Sequence, residues 1–75
     1  MGRAFHLWAT IRQPAGVDGF VVTVTAMPEG EGDVRVELFN ADTLEIAESI
    51  RDAKLKAWGR EISARNDRVI DVVDD

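Results

Sequence analysis

The 75-residue chain has no cysteine, a single histidine, two prolines and no long uninterrupted apolar run. Without cysteine there is no disulfide, no thiolate nucleophile and no cysteine-ligated zinc. Without a run of about 18 apolar residues there is no membrane-spanning helix, and the N-terminus lacks the apolar core of a signal peptide. The expected location is therefore the cytoplasm. Basic residues are also scarce: nine Lys and Arg face 14 Asp and Glu, for a formal net charge of −5. That balance opposes direct nucleic-acid binding, whose affinity comes mostly from attraction to the phosphate backbone.

What is present is enough for one small folded domain over residues 1–75, with 45% hydrophobic and 31% charged residues. A chain this short buries only about 60% of the surface its unfolded form exposes, so its stability margin is small. Spare apolar surface on such a domain points to a partner, and a second copy of the chain is the simplest one. The composition, rich in Ala, Val, Asp, Gly and Arg and poor in Lys, has a bacterial or phage character.

Period-two alternation predicts strands over residues 3–12, 20–27 and 34–39. In the first, Phe5, Leu7, Ala9 and Ile11 face one way and His6, Trp8, Thr10 and Arg12 the other. In the second, Phe20, Val22, Val24 and Ala26 oppose Val21, Thr23, Thr25 and Met27. In the third, Val34, Val36 and Leu38 are expected on the core side, with Arg35, Glu37 and Phe39 outward. The Gly- and Pro-bearing connections at 13–19 and 28–33 suit tight links, so the three strands read as an antiparallel meander.

After Asn40 the spacing turns helical. Asp42 is the expected cap, Glu45 sits at the reciprocal capping-box position, and the helix is expected over 42–58. Gly59 either ends that helix in the left-handed conformation or sits inside it at a cost of about 1 kcal/mol, and an end at Trp58 is favoured over continuation to Asn66. The β-branched segment 68–73 predicts a short fourth strand, parallel to the third and reached by a right-handed crossover. The fold class is α+β, in the order β-β-β-α-β, with one helix packed on one face of the sheet.

One helix covers one sheet face. The other face is then either a half-polar surface left to water, as in many antiparallel sheets, or an interface. Its aromatic and apolar side chains favour the interface, with His6, Trp8, Met27 and Phe39 as contacts and the acidic turn bearing Glu29 and Glu31 steering a partner.

Catalytic and metal-binding readings are weaker. His6 has no local nucleophile or orienting partner in the sequence, which makes it a surface residue sooner than a base. The alternating carboxylates Glu29, Glu31 and Asp33 lack the spacing and the terminal bidentate Glu of a calcium loop, and read as a solvated turn. No phosphate-binding glycine fingerprint, nucleophile elbow or zinc-ligand pair is present. The reading is therefore a non-enzymatic protein without cofactor or metal. Charge is unevenly spread. Residues 1–50 hold eight acids and three bases; residues 51–68 hold six bases and three acids, which fits the cationic end of a helix. An acidic surface suits a basic protein partner.

Gly19-Phe20-Val21-Val22, Met27-Pro28 and Ala41-Asp42-Thr43-Leu44-Glu45, with Ala47 and Ala53 downstream, resemble the N-terminal domain of HicB-type antitoxins. The likeness covers residues 5–73 in order of elements and about ten positions in kind. Two departures stand out: Pro28–Asp33 is longer than the family's turn, and no C-terminal DNA-binding segment follows. The resemblance implies a partial ribonuclease-H-like sheet without catalytic residues, which binds a small basic toxin and does not act as a repressor. The expected function is thus a small acidic interaction module, self-associating as a homodimer, that inhibits a basic nucleic-acid-processing protein. The alternative is a structural or assembly subunit that acts as a homo-oligomer.

Overall fold

The alternating segments form β1 (Ala4–Arg12), β2 (Phe20–Pro28) and β3 (Arg35–Ala41), followed by helix α1 (Leu44–Ala64) and strand β4 (Arg68–Asp74). The structure, a computed structural model, describes residues 2–74, with side chains described as far as Ile70. The sheet order is β3-β2-β1-β4, with β1 antiparallel to β2, β2 antiparallel to β3, and β4 parallel to β1. The meander, the packed helix and the short last strand are those the sequence predicts. β4 runs in the same direction as β3 but lies at the opposite edge of the sheet, so α1 carries the chain across β2 and β1.

Leu7 and Ala9 of β1, Val22, Val24 and Ala26 of β2, and Ala41 at the end of β3 meet Ala47, Trp58 and Ile62 of α1 in the buried core. Phe5, Ile11, Phe20, Phe39, Ile50, Leu55 and Val69 pack around them. Small residues at 9, 26, 41 and 47 let the helix approach closely, and the 3% exposed Trp58 fills the space that remains. Backbone bonds anchor the ends of the sheet: Glu29 N donates to Ala4 O at 2.8 Å and Arg68 N to Arg3 O at 2.9 Å.

Three expectations are corrected. The helix does not stop at Trp58. Gly59 lies inside it, and the next turn is held because Ile62, one turn beyond Trp58, is only 2% exposed in the core. The helix runs to Ala64 with Arg65 as its cap, and is closed by Asn66, whose φ of 64° is left-handed. Asn66 N donates to Ser63 O at 3.1 Å and Asp67 N to Ile62 O at 3.1 Å. These are the paired bonds of a Schellman ending, with Asn where Gly is usual.

At the other end the cap is Thr43, not Asp42. Thr43 has extended backbone and its Oγ1 accepts from Ile46 N at 3.2 Å. The capping box with Glu45 therefore does not form, since the residue at its third position is Ile46.

The faces of β3 are exchanged. Register places Arg35 opposite Ala26, Glu37 opposite Val24 and Phe39 opposite Val22. Side chains of directly paired residues share a face, so Arg35, Glu37 and Phe39 lie on the helix side, and Val36 and Leu38 on the open side. β3 is an edge strand beside the margin of α1, where long polar side chains reach past the helix to water. Arg35 does so across the Trp58 ring, 3.9 Å from its centroid, and pairs with Glu37 at 2.8 Å and Glu61 at 3.4 Å.

Candidate interaction face

The sheet face away from α1 carries rows of side chains set by strand register. Trp8, Thr25 and Val36 form the central row; Thr10, Thr23 and Leu38 the next; Arg12, Val21 and Asn40 the end row; His6 and Met27 pair at the opposite end. β4 extends the rows in backbone register, with Asp71 opposite His6 and Val73 opposite Trp8.

No element covers this face among the described residues. Leu38 is 62% exposed, Val36 48% and Met27 38%, while Trp8 is half-buried. Thr25 is buried although it belongs to the open face, flanked on its neighbouring strands by Trp8 and Val36. Exposed aliphatic residues scattered singly would need no explanation. Here Val36, Leu38, Met27, Val21 and Trp8 adjoin one another on a single surface.

The predicted contact residues separate. His6, Trp8 and Met27 share the open face, as expected. Glu29 reaches its rim, with a carboxylate oxygen 3.9 Å from His6 Nε2. Glu31 is exposed in the β2–β3 connection, beyond Gly30, whose φ of 95° bends the chain away from β2. Phe39 lies on the other side of the sheet, where the Lys54 ammonium sits 4.7 Å from its ring centroid and covers it. Val36 and Leu38 take its place on the open face. Period-two patterning placed them together but on the wrong side, and the β2–β3 register is what corrects it.

Two concave features lie on the helix side. A cavity of about 240 Å³ is lined by Arg3, Phe5, Ala26, Asp33, Arg35, Trp58, Ile62 and Arg65. It is smaller than most ligand pockets, about 300–1,000 Å³. Its arginines are engaged in other ways: Arg35 covers Trp58, and Arg65 lies 5.9 Å from the Phe5 centroid and pairs with Asp67 at 3.8 Å. A wider, shallow groove of about 600 Å³ runs beside α1, past Leu7, Leu55, Gly59, Ser63 and Val69. Among the described residues, no three His, Asp or Glu side chains are gathered as a metal site requires, and no helix is long and apolar enough to cross a membrane.

Comparison with protein-family models, curated proteins and solved structures finds no match.

Proposed function

We propose that the protein is a non-enzymatic interaction module whose working surface is the open sheet face. The observation that carries this reading is the adjacency of Trp8, Val36, Leu38 and Met27 on a face that no element covers among the described residues. A central tryptophan ringed by aliphatic side chains and threonines has the composition of an interface core, where aromatic residues are enriched and charges depleted. The domain is small, so covering this face would add a useful fraction of its stability.

A second reading keeps the inhibitor role suggested by the antitoxin resemblance, with a small basic protein as its target. Its support is Glu29 at the rim of the face and the exposed Glu31 in the same connection, together with the net charge of −5. Such charge raises encounter rates with a cationic partner. An assembly subunit without inhibitory role uses the same face and differs only in what it meets.

The test is affinity capture with the immobilised wild type and with Leu38→Glu in parallel. Leu38 is 62% exposed, so the substitution leaves the fold intact. The reading expects a protein, a further copy of the chain included, to be retained by the wild type and lost with Leu38→Glu. Equal retention by both would remove the open face from the function.

A further inference from the structure

We infer that the open face is occupied by a second copy of this chain, packed face to face about a two-fold axis that passes over Trp8 and runs across the strands. The inference rests on the proposed use of that face and names its occupant. Charge selects the occupant. The chain carries 14 carboxylate side chains, yet none of the open-face residues of β1, β2 and β3 is acidic. A basic protein would therefore find no carboxylate to pair with in the rows of β1, β2 and β3, and would meet Glu29 only at their rim. Two copies of a chain with net charge −5 repel one another at most contact surfaces, and the acid-free rows of β1, β2 and β3 are where they can approach with the fewest opposing carboxylates.

Charge also selects the orientation. Trp8 lies midway between two opposite charges. Arg12 is four residues ahead on β1; Glu29 is bonded through its backbone to Ala4, four residues behind, and its carboxylate reaches the open face at His6. An axis along the strands would set Arg12 over the partner's Arg12. An axis across them brings Arg12 toward the partner's Glu29 at both ends, with the threonine and aliphatic rows stacked between. A self-complementary patch of this kind is what an isologous dimer requires.

The area is that of a small specific interface. Four strands about 4.8 Å apart and about 26 Å long present a face of about 500 Å², so two copies together bury on the order of 1,000 Å². That reaches the roughly 1,000 Å² that a specific interface should clear.

Sedimentation velocity across a concentration series tests the inference, with wild type, Leu38→Glu, Arg12→Glu, the double variant Arg12→Glu/Glu29→Arg, and Ile46→Glu as a control on the helix side. The expected result is a monomer–dimer equilibrium in the wild type and in Ile46→Glu. Leu38→Glu should weaken it by about 100-fold or more, because it buries unpaired carboxylates. Arg12→Glu should weaken it about threefold to fivefold, and the double reversal should restore it. A wild type that stays monomeric into the millimolar range overturns the second copy, while Leu38-dependent capture of another protein would leave the open-face reading standing. A dimer indifferent to Leu38→Glu overturns both. A dimer sensitive to Leu38→Glu but indifferent to Arg12→Glu overturns the inferred arrangement.

Discussion

The Arg35 guanidinium lies over the Trp58 ring, 3.9 Å from its centroid, and this contact joins the edge strand to the helix. A stacked cation covers the one tryptophan of the core, and Glu37 and Glu61 hold it there. Arg35→Ala should cost about 1 kcal/mol in urea unfolding, a value kept low because the ion pairs are half exposed. Arg35→Lys should recover part of the loss, since it keeps the charge but not the planar fork. No change in the unfolding midpoint for Arg35→Ala would show the stacking to be energetically idle.

Gly59 and Asn66 make opposite predictions. A Cβ at Gly59 meets nothing within 4 Å, and the residue is helical, so Gly59→Ala should stabilise by about 1 kcal/mol. That corresponds to a rise in Tm of about 4–8 °C for a domain of this size. Asn66→Ala should destabilise by about 1 kcal/mol, because its φ of 64° is left-handed. If the helix ended at Gly59, Gly59→Ala would destabilise instead.

Capping separates two adjacent residues. Thr43→Ala should cost about 1 kcal/mol, because it removes the acceptor for Ile46 N. Asp42→Ala removes only a charge near the helix start and should cost a few tenths of a kcal/mol. Equal losses in thermal denaturation would contradict the assignment of Thr43 as the cap.

The two tryptophans should differ as sharply. Trp58→Ala empties the core beneath Arg35 and should cost about 3–5 kcal/mol, enough to threaten folding of so small a domain. Trp8→Ala should leave a folded chain by circular dichroism but reduce self-association. Loss of folding in Trp8→Ala alone would mean that the indole supports the monomer.

Strand and helix identity was legible because each segment has a clear period, and β1 and β2 show their buried faces without ambiguity. β3 does not. Val34, Val36 and Leu38 alternate with Arg35, Glu37 and Phe39, so either face has apolar members, and only the pairing of Phe39 with Val22 decides between them. At an edge strand the burial signal is weak and long polar side chains escape to solvent, which is why Arg35 and Glu37 are tolerated beside the helix. The helix end was obscured by residue type. Glycine is the usual left-handed terminator, yet here it sits inside the helix, while an asparagine terminates it and Ile62 supplies the packing that carries the helix past Gly59. The candidate face was legible in His6, Trp8 and Met27; Val36 and Leu38 were hidden by the reversed face of β3.

The most direct measurement follows the two indole N–H resonances by NMR as protein concentration is raised. Trp8 lies at the centre of the open face and Trp58 is sealed in the core on the other side of the sheet. Docking of a second copy should shift or broaden the Trp8 signal with concentration while that of Trp58 stays fixed. A Trp8 signal that stays constant over the whole range, or a shift confined to Trp58, would contradict the account.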